Sequence, residues 1–185
     1  MQPGYHRVML QNNKIWVEQT ATERVSFYRF RYTRSSDGQI IVDLGSTVQN
    51  CSTSEDAEVS KVGDRILEGK LHSRKRFWGG PKDVPLFFVI EFDKPMQSLN
   101  SWKKGVFEAR NVTTAYGDSL AIAAQFPGLK AGDVVQMKIA VSYTSVENAR
   151  NNLKQECANW NFEDVKKQTQ DSWNRWLGRI DVKGG

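Results

Sequence analysis

The sequence predicts a mainly β protein, two packed antiparallel sheets followed by a short two-helix tail, and three observations carry that expectation. From Tyr5 to Tyr143 apolar residues recur with a period of two in short runs. The runs are broken by turn-forming text such as Ser35-Ser36-Asp37-Gly38, Pro127-Gly128 and Ala131-Gly132-Asp133. After Tyr143 the period lengthens to nearly four. About ten short strands with no helix between them argue for a β-sandwich.

The elements follow in order. Tyr5 to Leu10 and Ile15 to Glu18 flank Gln11-Asn12-Asn13 and read as a hairpin. Arg24 to Tyr32 places Tyr28, Phe30 and Tyr32 on one face with Arg29 and Arg31 on the other, and Gln39 to Leu44 follows its turn. Such alternation predicts sheets with one wet face. Asn50 to Ser60, with Glu55, Asp56 and Glu58, reads as a polar surface loop. Arg65 to Leu71, Leu86 to Phe92, Val106 to Ala109 and Leu120 to Phe126 continue the strands. Val134 to Tyr143 closes them, with Val135, Met137, Ile139, Val141 and Tyr143 opposed to Gln136, Lys138, Ala140 and Ser142.

Beyond that point Val146, Ala149, Leu153 and Cys157 form a helical stripe opened by Ser145 as N-cap. Phe162, Val165, Trp173, Trp176 and Leu177 form a second stripe, capped by Asn161 and ended by Gly178. The predicted division is a sandwich over 1–144 and a helical linker over 145–185. The two helices either fold back on the sandwich or lead into a further domain. The final Arg179 to Gly185 reads as the start of an element, so the native chain is expected to continue.

With 185 residues the chain is the size of one domain with an appendage. Its 39% hydrophobic residues exclude a disordered class. The charge of +5 is spread among 21 acidic residues, which argues against nucleic acid as a partner. The densest basic cluster, Lys70, Arg74, Lys75 and Arg76, reads as a solvated loop. No apolar run reaches the roughly 18 residues of a membrane helix. Cys51 and Cys157 are spaced as neither a redox pair nor zinc ligands, and they stand either as a disulfide or as two buried thiols.

No Walker loop, dinucleotide fingerprint, nucleophile elbow or zinc-protease motif occurs, and His6 and His72 are too few for a histidine-built centre. Glu91, between Ile90 and Phe92, is an acid in an apolar setting, but it reads as a wet-face or ion-paired residue rather than a catalyst. No metal site is expected in this stretch. Sugar binding is the more plausible chemistry, because pyranose C–H faces stack on indoles while hydroxyls bond to Arg, Asn and Asp. Trp78, in Arg76-Phe77-Trp78-Gly79-Gly80, and Trp102 are the exposed candidates, with Arg76 as a donor. The plain alternative is that each indole packs over the rim of the sandwich. Trp16, Trp160, Trp173 and Trp176 read as core or interdomain residues.

Several stretches together resemble the N-terminal domain of glycoside hydrolase family 92. These are Pro3-Gly4-Tyr5; Thr20 to Val25 with Tyr28-Arg29-Phe30; Val42 to Gly45; Phe88 to Pro95; the closing Trp173-Asn174 and Leu177 to Ile180; and above all Val141-Ser142-Tyr143-Thr144-Ser145-Val146-Glu147-Asn148-Ala149-Arg150. The family's members are largely secreted, calcium-dependent, inverting exo-α-mannosidases. The resemblance implies a galactose-mutarotase-like supersandwich joined to an (α/α)6 barrel absent from these residues. It implies that the catalytic acid, the base and most of the calcium ligands belong to that barrel, and that this stretch is inactive by itself. Trp78, Arg76 and Arg24 are then expected at the wall of a pocket for mannose-containing glycans, with a secreted, periplasmic or cell-surface setting. An autonomous carbohydrate-binding module and a purely structural domain are the competing readings.

Overall fold

The structure is a computed structural model and describes residues 2–46, 53–74 and 83–180. Its strands are β1 (His6–Leu10), β2 (Ile15–Ala21), β3 (Val25–Tyr32), β4 (Ser36–Asp43), β5 (Thr53–Lys61), β6 (Ile66–Arg74), β7 (Asp83–Phe92), β8 (Leu99–Lys103), β9 (Val106–Ala109), β10 (Thr114–Gly117), β11 (Leu120–Leu129) and β12 (Val134–Ser142). Two helices follow, α1 (Val146–Glu156) and α2 (Phe162–Leu177). Ser145 and Asn161 cap them through bonds from the backbone amides of Asn148 and Asp164, as the sequence predicts.

An eight-stranded sheet in the order β1-β2-β3-β12-β7-β6-β5-β10 faces a four-stranded sheet in the order β4-β11-β8-β9, with every pairing antiparallel. The period of two sets the inner face. Tyr32, Val59, Leu67, Phe88, Ile90, Phe92, Val135 and Met137 from the large sheet meet Ile40, Leu99, Leu120, Ile122, Ala124 and Phe126 from the small one. The β-supersandwich of the sequence reading is therefore the observed fold.

Three local expectations are corrected. Residues 53–61, read as a surface loop, form β5, because Ala57 and Val59 face the core while Glu58 points out and pairs with Lys70. The acidic text hid a short alternation that resumes after a bulge between Glu55 and Glu58, where Asp56 has a φ of 49°. Strands β8 and β10 were also not foreseen. The third correction concerns the outer face of the large sheet. Around β3, β12 and β7 it is dry, since Val25, Phe27, Val89 and Ala140 join Ala149, Leu153, Cys157, Phe162 and Val165 in a second core. Alternation within a strand shows which residues share a face; it does not show what a later helix will lay over that face.

Candidate functional site

The helices fold back on the sheet, and four ionic contacts fix them there. On β2, Glu18 is buried and lies in register with Arg29 of β3. Arg29 donates to it at 2.7 and 2.9 Å, Tyr5 Oη donates at 2.6 Å, and Arg29 reaches on to Glu163 in the first turn of α2 at 2.7 Å. Burial raises the Glu18 carboxyl pKa, but the bonds from Arg29 and Tyr5 outweigh it and hold the group at about 2. Burial, reinforced by the bond to Glu18, pushes the Tyr5 phenol up to about 12.

The second contact is Lys138 of β12, which is wholly buried beneath the helices. Its Nζ donates to the carbonyl of Cys157, the C-cap of α1, at 2.8 Å and sits 3.8 Å from the centre of the Trp160 ring. Burial depresses the ammonium's pKa, and a helix C-terminus, an aromatic face and Glu91 at 3.9 Å together offset its desolvation. Glu91 is thus a partner of a lysine. Cys157 is a buried free thiol, its pKa raised by burial, and Cys51 lies outside the described residues. The third contact joins Arg150 of α1 to Glu68 of β6 at 2.5 Å.

Arg24, a predicted pocket residue, supplies the fourth. From the β2–β3 turn its Nε donates to Glu156 at 2.5 Å, and its backbone amide and the Thr22 hydroxyl donate to the same carboxylate. The arginine is half exposed but committed to holding the end of α1. Next to this turn, the far end of α2 leaves Trp173, Trp176 and Leu177 about half exposed, and a cavity of 580 Å³ lies between the Ala21–Glu23 turn and both indoles.

Trp102 lies on the opposite side of the molecule. Leu99 and Ser101 point into the core, so Asn100 and Trp102 face outward from β8 on the small sheet. The indole is half-buried rather than open and meets Phe107 of β9 edge to face at 5.3 Å. An open cavity of 640 Å³ runs past this pair, bordered by Gln39, Asn100, Arg110 and Gln125. Arg24 and Trp102 therefore share no site, being separated by both sheets, roughly 10 Å apart face to face.

Trp78 and Arg76 lie outside the described residues. The strands that flank them end in a charged cluster: Arg74 pairs with Glu55 at 2.9 Å and Asp56 at 2.7 Å, and His72 Nδ1 lies 2.7 Å from Asp83. Lys70 and Arg74, half of the basic cluster seen in the sequence, are thus paired with acids. Among the described residues no three acidic, histidine or cysteine side chains converge to hold a metal, and no helix is long and apolar enough to cross a membrane. Sequence reasoning missed Glu18, Lys138 and the Phe107–Arg110 groove. Only strand register sets Glu18 opposite Arg29, and β8 was not foreseen.

The profile of the glycosyl hydrolase family 92 N-terminal domain matches residues 1–142, and that of the family's catalytic domain matches residues 148–185. A protein of Arthroderma benhamiae described as an uncharacterized secreted glycosidase is 24% identical over 204 residues, with 99% of this chain and 25% of the relative covered. The solved structure of a family 92 α-mannosidase from Bacteroides thetaiotaomicron superposes with a TM-score of 0.85 at 24% identity, over 99% of this chain and 25% of its own. A family 92 inverting mannosidase from the same species gives 0.79 at 20% identity, over 99% and 23%. The chain thus spans about a quarter of the length of these relatives.

Proposed function

The chain belongs to glycosyl hydrolase family 92, carrying its N-terminal domain and a stretch that matches its catalytic domain, and from that membership we propose that it serves an exported, exo-acting α-mannosidase. In this reading the sandwich packs in cis on an (α/α)6 catalytic barrel and lines the pocket that receives mannose-containing glycans. The reaction, its acid and base, and its calcium belong to the barrel, and the 185 residues alone are inactive.

The observation that carries the proposal is α2. Its first turn is built into the sandwich through Phe162, Val165 and Glu163, while its last two turns expose two indoles and a leucine. That exposed end falls within the residues matched by the catalytic-domain profile. A helix half committed to one body and apolar on its free half is suited to continue into a second body. Export draws support from the secreted glycosidase of Arthroderma benhamiae, and the α-mannoside substrate from the two Bacteroides mannosidases.

Arg76 and Trp78 are proposed for the pocket wall, between strands whose ends are fixed by Arg74, Asp83 and His72. Arg24, held by Glu156, contributes by keeping α1 in place. The test is Trp78→Ala in the complete enzyme, assayed on an α-mannobioside. The expected result is a rise in KM of about tenfold, the scale of one lost stacking contact. Unchanged KM and kcat would remove Trp78 from the pocket.

A further inference from the structure

We propose that the outward face of the small sheet is itself a saccharide-binding groove, in which a pyranose ring stacks on the Trp102–Phe107 pair and its hydroxyls are held by Arg110 and Gln125. This goes beyond the family reading, because it gives the sandwich a ligand of its own on the side away from α1 and α2.

The geometry arises from strand alternation. On β8 the outward residues are Asn100 and Trp102, and across the ladder β11 opposes them with Ala123 and Ala121. The groove runs past the outward side chains of Asn100 and Trp102, toward Gln39 and Gln125 on the neighbouring strands. A bulge between Ser101 and Trp102 in the β8–β9 hairpin accompanies the edge-to-face contact of Trp102 with Phe107, which stays 46% exposed. The resulting 640 Å³ falls within the range of small-ligand sites, roughly 300–1,000 Å³.

The polar groups are the second, independent observation. Among the described residues Arg110 makes no ion pair, and its guanidinium lies 5.8 Å from the Phe107 ring centre. Gln125 aligns with Gln39 across β4, and its side-chain amide nitrogen is shielded from solvent with no protein partner among the described residues. An unpaired, shielded amide costs about 1–3 kcal/mol and calls for a hydrogen-bond partner.

These groups select among partners. An apolar protein surface would leave the amides and the guanidinium unpaired. A phosphate backbone would find one arginine beside the Asp37 carboxylate, too little positive charge for nucleic acid. A sugar offers an apolar ring face for the aromatics and vicinal hydroxyls for the amides and arginine.

The test uses the ¹⁵N-labelled chain titrated with α-mannotriose, maltotriose and chitotriose. At least one trisaccharide should give saturable shifts of the Gln125 side-chain amide and of the backbone amides of Arg110 and Asn111. Arg110→Ala, at an exposed position that leaves the fold intact, should weaken that binding about tenfold, and Trp102→Ala should abolish it. The proposal is overturned if no trisaccharide moves these signals, or if both variants bind like the parent. Shifts confined to residues 75–82 also overturn the groove, while leaving the family reading intact.

Discussion

Replacing Glu18 by glutamine removes the charge around which Tyr5, Arg29 and, through Arg29, Glu163 are arranged. In the folded chain this carboxyl titrates at about 2 rather than 4.5, because the Arg29 and Tyr5 bonds outweigh the cost of burial. A folded pKa below the unfolded one means that the stabilisation is complete above the unfolded value and is lost as pH falls through the folded value. The gap corresponds to about 3 kcal/mol at neutral pH, of which about 2 kcal/mol disappears between pH 7 and pH 3. Urea denaturation followed by circular dichroism at both pH values suits the measurement, since an uncharged denaturant leaves ion pairs unscreened. The variant should unfold about 3 kcal/mol more easily than the parent at pH 7 and only about 1 kcal/mol more easily at pH 3. An equal gap at the two pH values would refute the assignment of that stability to an ionised Glu18.

Two further perturbations follow from the same packing. On β6, Gly69 pairs with Val59 and Phe88, and an added methyl would meet the Glu58 carbonyl oxygen and the Phe88 ring, so Gly69→Ala should lower stability by about 2 kcal/mol in urea. Lys138→Met keeps the volume but leaves the Cys157 carbonyl without its donor; relief of ammonium burial offsets part of that, giving a net loss of about 1–2 kcal/mol at pH 7. Because burial lowers the lysine's pKa, the unfolded chain holds that proton more tightly, and the parent gains stability as pH rises toward about 10.4. The methionine variant lacks that gain, so urea midpoints of the two proteins should diverge as pH rises toward about 10.4.

Much of the fold could be read in the sequence, because the signals that carry it are local. Val135, Met137, Ile139 and Val141 alternate, Ser145 and Asn161 cap their helices through side chains three residues from the amides they bind, and Gly178 ends α2. What escaped depends on register or on distant chain. β5 disguises Ala57 and Val59 among acids that pair across β6. Lys138 reads as a solvated residue until α1, whose final turn is 19 residues further on, closes over it. The site divides in the same way. An exposed indole could be noticed at Trp102, but its partners Phe107 and Arg110 from the end of β9 and Gln125 from β11 lie in two other segments, and their meeting is a property of the ladder. Arg24 drew attention through the resemblance carried by Thr20 to Val25, and its bond to Glu156, 132 residues further on, is a contact only the fold could bring about.

In the proposed enzyme this sandwich is the N-terminal part, and the chemistry lies in a barrel docked on α2. The most direct measurement is release of mannose from an α-mannobioside by the 185-residue chain, by the separately produced catalytic part, and by the two mixed. The chain alone should release none, and mixing should give a gain in activity that is lost in a Trp173→Ser/Trp176→Ser double variant, whose exposed positions leave the sandwich folded. Mannose released by the chain alone, or a catalytic part whose activity is indifferent to the chain, would contradict this reading.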